Sequence, residues 1–241
     1  MSIEMDVNVF MIDQESDAAT TTVRNKEQWG YVRNSMFAIT STEDASVLTT
    51  DVLLDIVDLH DQVAALEGEF DDEKIAWADV CYRFPFPDNR AAECTVSSIL
   101  EFYECAELPC VPLTDTATMR DRVERLPALE VIANSTGFNF QGLPINSRQI
   151  LGGAVERNGA TVGYQSLLTA FVIVIDPNDE DEEDTARAWE GEYLDFFEAL
   201  IEDESFDGYE LTYVAERSSA DEIFRSATGS IDLIAISVIL M

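Results

Sequence analysis

The segment Leu167-Leu-Thr-Ala-Phe-Val-Ile-Val-Ile175 carries no charge and has a single polar side chain, Thr169. A continuous apolar run of this length, without alternation, is typical of a strand at the centre of a sheet, because an edge strand usually has a solvated face. We therefore expect this strand to lie centrally in a sheet, with at least one face covered.

The residues after this strand predict a linker, a helix and a last strand. The acidic segment 176–184 predicts a solvated linker. Large apolar residues at helical spacing predict a helix over 185–202 that begins at Asp184 or Thr185 as its cap. They are Trp189, Tyr193, Phe196, Phe197 and Leu200. Strict alternation over 209–215 predicts a strand that is covered on one face.

Upstream, the pattern predicts a short strand over 35–40 and then a strongly amphipathic helix over 50–67. Thr49 or Thr50 supplies the oxygen that caps the first turn of this helix. Gly68 is a typical helix stop, since glycine adopts the left-handed conformation that often ends a helix.

These elements predict one α+β fold. We expect the three strands to share a largely antiparallel sheet, with both helices on the same face, because only these helices carry wide apolar stripes. A further strand, either in the irregular segment from about 70 to 150 or around 160–165, would complete a ferredoxin-like core.

The segment from about 70 to 150 predicts an irregular helical insert in that core. Proline-rich turns at Phe84–Pro87 and Leu108–Pro112 interrupt any long element. A short helix is expected over 97–104. A second helix is expected over 116–133, with three apolar residues on one face. They are Met119, Val123 and Leu126.

All four cysteines of the chain fall in this insert, at Cys81, Cys94, Cys105 and Cys110. An even, clustered set indicates two disulfides in an oxidising compartment, with free thiols as the next alternative. A zinc site would need a Cys-x-x-Cys pair or a nearby histidine, and neither is present. Pairing 81–94 and 105–110 closes the shortest loops and therefore costs the least chain entropy.

Asn134-Ser-Thr136 is a glycosylation sequon. It has a meaning only in the oxidising compartment that the cysteines indicate, because single sequons often arise by chance. On that condition, Asn134 is a candidate acceptor.

The composition excludes some partners. The net charge is −34, from 48 acidic and 14 basic residues, so nucleic acids and anionic membrane surfaces would repel the chain. The acids are spread along the chain, which suits a solvated surface in a salt-rich medium and identifies no ligand. With 46% hydrophobic residues, the chain has enough apolar material to fold.

The sequences at the two ends of the chain bear on whether the protein is attached to a membrane. Ile231–Met241 is almost wholly aliphatic, yet crossing the hydrocarbon layer takes about 20 apolar residues. We expect 219–241 to begin a transmembrane helix; a buried terminal helix or strand is the alternative. Met1–Asp6 lacks the basic and apolar regions of a signal peptide, so oxidised cysteines would require an earlier membrane-targeting segment.

Catalytic chemistry has little support, and we predict no catalytic residue, cofactor or metal. His60 is the only histidine and lies beside an apolar helix stripe, where packing is its expected role. No phosphate loop or nucleophile elbow is present. Asp176, Asn178 and Glu180 have the oxygens of a calcium loop, but the required glycine is absent, which favours a solvated linker.

A series of segments resembles the first extracytoplasmic domain of Patched-type proteins. Those in the first half are Val47–Asp61, Asp79-Val-Cys81 and Cys94–Leu100. Those in the second half are Leu151-Gly-Gly153, the apolar strand after Tyr164, Ala188-Trp-Glu190, Tyr213, Arg217–Ile223 and Ile231-Asp-Leu-Ile234. Over about residues 30–241 the chain resembles the family of Patched, Niemann-Pick type C and Patched-domain-containing proteins, which belong to the resistance-nodulation-division transporters.

The resemblance implies a membrane protein that moves sterols or other lipids. Residues 1–29 match the family poorly, 30–218 would be an α+β domain on the extracellular or lumenal side, and 219–241 would enter the membrane. The porter-type, ferredoxin-like domain would share its lipid path with a second extracytoplasmic domain of the same protein. The sterol-sensing helices and ion-coupling carboxylates of such proteins would lie beyond these residues.

The sequence is also compatible with two other functions. One is a stand-alone acidic α+β binding module, secreted or from a halophile, whose C-terminus is buried in its own core. The other is a calcium-dependent adhesion or interaction domain. Whether the coding sequence continues past Met241 into several apolar spans separates the first of these from the transporter reading.

Overall fold

The computed structural model describes residues 31–43, 45–83, 93–176, 179–203 and 208–218. Its strands are β1 (Tyr31–Ser41), β2 (Glu67–Phe70), β3 (Glu73–Ala76), β4 (Val96–Ser97), β5 (Leu151–Arg157), β6 (Ala160–Ile175) and β7 (Tyr209–Val214). Its helices are α1 (Thr50–Ala64), α2 (Trp77–Val80), α3 (Glu101–Glu104), α4 (Thr116–Arg125), α5 (Ala128–Asn134), α6 (Ser147–Ile150) and α7 (Glu180–Asp203). The segments 1–29 and 219–241 lie outside the described residues.

Strand β6 is the spine of a five-stranded antiparallel sheet. Strand β1 pairs with one edge of β6, from Tyr31 opposite Ile175 to Thr40 opposite Ser166, and β7 pairs with the other edge of β1. The second edge of β6 pairs with β5 from Ala160 to Leu167 and then with β4 at Ala170 and Phe171. The three strands predicted from the sequence therefore share one antiparallel sheet, and the α+β class is confirmed.

Strand β5 is a further strand of this sheet and lies at Leu151–Arg157, between the two positions predicted for one from the sequence. It joins β6 through Asn158 and Gly159, which have φ angles of 56° and 77°. Asn-Gly with both residues at positive φ is the signature of a type I′ hairpin turn, whose twist matches that of the paired strands. Because β6 begins at Ala160, the central strand extends well before the apolar segment 167–175.

Both long helices lie on the same face of the sheet, as predicted. The ring of Phe171, in the middle of β6, lies 5.7 Å from the ring of His60 in α1 and 6.2 Å from that of Trp189 in α7. On the neighbouring strand, the Phe37 ring lies 5.3 Å from Phe197 of α7. The main core is therefore an aromatic layer between the sheet and the two helices, and His60 is part of its packing.

Helix α7 begins earlier than predicted, at Glu180 rather than 185. The side-chain oxygen of Asp179 accepts hydrogen bonds from the amides of Asp181 and Glu182, at 3.1 and 3.3 Å. Asp179 is therefore the cap, and the predicted caps, Asp184 and Thr185, lie inside the helix. Acidic side chains in a first turn are stabilised by the helix dipole, so residues that read as a solvated linker extend the helix instead.

Gly68 does not end helix α1, which stops at Ala64, capped at its start by Thr49. Gly68 instead lies in β2, where a Cβ atom would sit 2.7 Å from the backbone of Ala188 in α7. Glycine is needed here because strand and helix backbones approach too closely for a side chain.

The insert also differs from expectation. The helix predicted over 116–133 is two helices, α4 and α5, because Pro127 follows Leu126 and favours an extended conformation there. Of the helix predicted over 97–104, only Glu101–Glu104 is helical, and Ser97 belongs to β4. The turn Phe84–Pro87 lies outside the described residues.

Among the described residues, no helix combines the length and the low polarity that a bilayer crossing requires.

Candidate functional site

The face of the sheet opposite the two helices is apolar and partly exposed. Because paired residues of adjacent strands share a face, the outward-facing side chains follow from the strand register. The apolar ones are Val32, Met36, Ala38, Leu168, Ala170, Val172, Val174 and Val214. We call the side of the sheet that carries them the outer face.

The outer face is continuous across three strands. Val32 lies opposite Val174, and Met36 lies between Ala170 on one side and Val214 on the other. Val32 is 49% exposed and Val214 is 40% exposed. Solvated sheet faces normally carry polar side chains, so a contiguous apolar face of this kind indicates a surface for a lipid or for another protein segment.

The outer face is also almost free of charge. Of the outward positions on β1, β7 and residues 166–174 of β6, Glu210 alone is charged, and it lies at the end of β7 opposite Thr40. The chain as a whole has 48 acidic residues. Their exclusion from this one face favours contact with an apolar partner, because burying an unpaired carboxylate is strongly unfavourable.

A second feature is a cavity of about 290 Å³ between the core and the insert. Its wall includes apolar groups from both, such as Ala64 of α1 and Phe140 of the insert, and buried polar groups, among them His60 and Glu104. The volume is at the lower end of the range for small-molecule pockets.

Two buried carboxyl groups lie beside this cavity, at the two ends of the one-turn helix α3. Glu101 and Glu104 are each 5% exposed. Burial raises the pKa of Glu101 to about 7, against hydrogen bonds from Asn139 and Ser98 that lower it. Burial likewise raises the pKa of Glu104 to about 8, with a further contribution from the charge of Glu101. Sequence reasoning missed both, since their burial depends on a loop distant in sequence.

The predicted site residues are distributed over the insert and do not form one site. The structure joins Cys81 to Cys94 and Cys105 to Cys110, the pairing that loop-closure entropy favours. The backbone of Cys81 also forms an isolated antiparallel β-bridge with Ile173 of β6, so the first disulfide lies at the edge of the sheet. Asn134 is exposed at the end of α5, and its glycosylation remains a prediction.

Two of the segments that carry the resemblance meet in one buried ionic network. The guanidinium of Arg33 donates to both carboxylate oxygens of Glu190, at 2.9 and 2.5 Å, and to Glu183 at 2.6 Å. The same carboxylate accepts from the amide of Arg217 at 3.3 Å. Ala188-Trp-Glu190 and the segment beginning at Arg217 thus hold β1, α7 and the end of the sheet together.

Metal binding has no support in the part of the chain that the structure describes. No group of three or more His, Cys, Asp or Glu side chains there is placed to hold an ion. Asn178, one of the three residues of the calcium alternative, lies outside the described residues.

A family model described as NPC1, middle luminal domain, matches residues 19–217. The chain belongs to this family. The resemblance to Patched and Niemann-Pick type C proteins is thereby confirmed at the level of this luminal domain.

Two curated relatives agree. The chain is 25% identical over 239 residues to the NPC1-like intracellular cholesterol transporter 1 of Rattus norvegicus, an alignment that covers 91% of the chain and 17% of that protein. It is 22% identical over 222 residues to the NPC intracellular cholesterol transporter 1 of Sus scrofa, covering 80% of the chain and 15% of the relative. The chain therefore spans less than one fifth of the length of the relatives it matches.

Proposed function

We propose that this chain is one lumenal domain of a membrane protein that moves sterols or other lipids. The outer face carries the proposal, because an uncharged apolar surface on a chain of net charge −34 suits a lipid path shared with a second lumenal domain. The family and the printed names of the two cholesterol transporters support the same function. Two disulfides suit a lumenal or extracellular compartment.

The fold supports the porter-type part of this proposal. In the sheet, β7, β1, β6 and β5 follow one another, all antiparallel, and both long helices lie on one face. Counting β1, β5, β6 and β7 as the first to fourth core strands, this is the order 4-1-3-2 of a ferredoxin-like sheet. We infer that α1 and α7 are the two core helices, and that the insert replaces the link between α1 and β5.

The membrane part of the proposal concerns residues beyond those described. We propose that 219–241 starts a transmembrane helix and that the spans, the sterol-sensing helices and the coupling carboxylates belong to a longer protein. In this proposal the domain binds lipid without catalysing a reaction, and Asn134 is glycosylated in the lumen. The isolated chain is then expected to bind sterol weakly, because its binding surface is shared with other parts of the protein.

The test places a charge on the outer face of the full-length protein. Val172→Asp puts a carboxylate in the middle of this face, and Thr212→Asp adds the same charge at an exposed polar position of the same face. We expect Val172→Asp to abolish both the crosslinking of a photoactivatable sterol and sterol transport by the full-length protein, while Thr212→Asp keeps most of both. Thermal unfolding of each isolated domain checks that it folds. Equal sterol crosslinking in a folded Val172→Asp protein would refute the lipid role of the face.

The acidic charge also favours a second candidate, a stand-alone binding module. Deleting Ile231–Met241 separates the two. If this segment enters a membrane, deletion should improve solubility and leave the melting temperature nearly unchanged. If it is buried in the core of a stand-alone module, its loss should remove several kcal/mol of apolar burial, by roughly 25 cal/mol per Å², and unfold the domain.

A further inference from the structure

The loop 137–145 is a small folded unit of the insert. Phe138 and Pro144 form an antiparallel bridge, and the amide of Ile145 donates to the carbonyl of Gly137 at 2.9 Å. The Asn139 amide donates to Leu143 at 2.9 Å, and the Asn139 side-chain oxygen accepts from the Leu143 amide at the same distance. These bonds are internal, so the loop can move as one piece without losing its own shape.

Side-chain carboxyl groups hold this loop against α3. The side-chain amide of Asn139 donates to Glu101 Oε1 at 2.8 Å, and the backbone amide of Phe140 donates to Glu104 Oε2 at 2.7 Å. A third contact runs from the side chain of Gln141 to the carbonyl of Glu93 at 3.0 Å. The loop covers the two carboxyl groups, and Asn139, Phe140 and Gln141 also form one wall of the cavity.

The two carboxyl groups are close enough to interact electrostatically. The charge of Glu101 raises the pKa of Glu104, as does the charge of Glu93. The second oxygen of Glu101, Oε2, accepts from the amide of Ser98 at 3.2 Å and from the hydroxyl of Ser97 at 3.3 Å. Two buried acids at this spacing ionise together only at considerable cost, because each lowers the stability of the other's charge.

Other titratable groups of the described residues also surround the pair. The guanidinium of Arg122, on α4, donates to the backbone carbonyls of Tyr103 and Glu104 and not to either carboxyl group. His60 and Arg83 line the same cavity as Glu104. Within the part of the chain that the structure describes, the charged and titratable groups around the pair are His60, Arg83, Glu93, Tyr103 and Arg122.

We propose that Glu101 and Glu104 form a protonation-dependent latch, which holds the loop 137–145 closed over the cavity at acidic pH and releases it as the pH rises towards 8. Hydrating the ionised carboxylates requires that Asn139 and Phe140 move away, because these two residues cover them. The loop then separates from α3 as a unit, and the cavity opens to solvent. The latch rests on contacts within the insert and does not depend on the proposed lipid role of the outer face.

The direction of the pH effect follows from the raised pKa values. The ordinary pKa of a glutamate is 4.5, and those of Glu101 and Glu104 in the folded chain are about 7 and about 8. Between 4.5 and 8 the folded, closed form binds more protons than the unfolded chain, so its stability falls as the pH rises through this window. Below 4.5 both forms are protonated and the contribution is complete.

Hydrogen exchange of the loop tests the latch directly. We expect the protection factor of the Phe140 amide, corrected for intrinsic exchange, to fall about tenfold or more between pH 5.5 and pH 8, since one pKa unit corresponds to a tenfold change in the equilibrium. Glu101→Gln/Glu104→Gln removes both charges and keeps one acceptor oxygen at each position, and in it the protection should stay constant within about twofold over the same range.

A matched control removes the same charge elsewhere. Glu124→Gln/Glu130→Gln neutralises two exposed carboxylates of the insert and should keep the wild-type pH profile. If the double variant at 101 and 104 does not fold, carbon-13 titration of the wild-type glutamates measures the same protonation. Three results would overturn the latch. The pH dependence of protection could persist in the double variant at 101 and 104, or it could disappear only in His60→Gln. The two glutamates could also titrate near 4.5.

Discussion

Two buried arginines show how differently the core and the insert are stabilised. Arg33 in the core and Arg122 in the insert are each 3% exposed. Arg33 donates to side-chain carboxylates, those of Glu190 and Glu183. Arg122 donates to backbone carbonyls at four positions of one segment. They belong to Tyr103, Glu104, Glu107 and Pro109.

The difference follows from where each arginine finds unpaired acceptors. In the core, strand and helix ladders already satisfy the backbone, so a buried guanidinium needs charged side chains as partners. In the insert, the end of helix α3 and the loop closed by Cys105 and Cys110 leave carbonyl groups without ladder partners. Arg122 supplies the missing donors. The core is thus stabilised mainly by the burial of regularly spaced apolar side chains, and the insert by individual hydrogen bonds and disulfides.

The largest expected effect is on the aromatic layer of the core. Phe171 is fully buried and contacts rings from both helices and from α2, including Trp77 at 5.3 Å. Phe171→Ala should lower the free energy of unfolding by about 3–5 kcal/mol, because the layer cannot close over the cavity that remains. Urea unfolding measures this. Phe138→Ala, at a half-exposed ring of the insert, is the matched control and should change the free energy little. Equal losses would mean that the insert is packed like the core.

The two arginines give the next comparison. Arg33→Met leaves Glu190, which is fully buried, without its counter-charge, and should cost about 3–5 kcal/mol. Arg122→Met leaves backbone carbonyls that water can reach once the loop loosens, and should cost about 2 kcal/mol. Unfolding by urea gives both values, and proteolysis of the folded chain should become faster near Glu107 only in the second variant.

A rescue experiment controls for this comparison. Arg33→Met/Glu190→Met removes both charges and should recover much of the stability that the single change loses, since the loss comes from an unpaired charge rather than from a lost contact. If the double variant is no more stable than Arg33→Met, the ion pair is not what distinguishes the two regions.

Removing either disulfide of the insert is expected to have a smaller effect on stability. Chain-entropy estimates give about 3 kcal/mol for the loop closed by Cys81 and Cys94, with a sequence separation of 13, and about 2 kcal/mol for that closed by Cys105 and Cys110, with a separation of 5. Paired serine replacements, compared by urea unfolding, should therefore rank in this order. Four alkylatable thiols in the native protein would contradict the disulfides and the oxidising compartment together.

The same division explains what the sequence predicts. The strands over 35–40, 167–175 and 209–215 follow from alternation or continuous burial, and the structure contains all three. The sequence does not indicate that α7 begins at Glu180, because the first turn of this helix is wholly acidic and resembles a solvated linker. The hairpin of β2 and β3 could not be predicted from its turn residues. Asp71 and Asp72 have positive φ there, at positions where glycine is the usual indicator of a turn.

Long-range partnerships could not be predicted from one sequence. Arg33 and Glu190 are separated by 157 residues, and nothing local marks either as buried. Likewise, Glu101 and Glu104 read as ordinary acids of a short helix until the loop 137–145 covers them. Burial of a charged residue depends on tertiary contacts that periodicity does not encode.

The smallest expected effect comes from removing helix caps, and it tests whether the core and the insert unfold together. Thr49 caps α1 in the core, accepting from the Val52 amide at 3.3 Å, and Asp115 caps α4 in the insert, accepting from the Thr118 amide at 3.2 Å. Replacing either by alanine should cost about 1 kcal/mol, the usual loss for a helix cap. Helix α1 packs directly on α4, and the side-chain hydroxyl of Thr116 donates to Asp61 at 2.6 Å.

Because of these contacts we expect a single cooperative unit, in which Thr49→Ala and Asp115→Ala lower the global midpoint in urea equally. If the insert opens on its own, Asp115→Ala should instead weaken hydrogen-exchange protection only within 93–150 and leave the midpoint of the core unchanged. That second result would confine the interactions of Arg122, the disulfides and the carboxyl latch to local opening of the insert. Equal shifts would mean that each of them stabilises the whole domain.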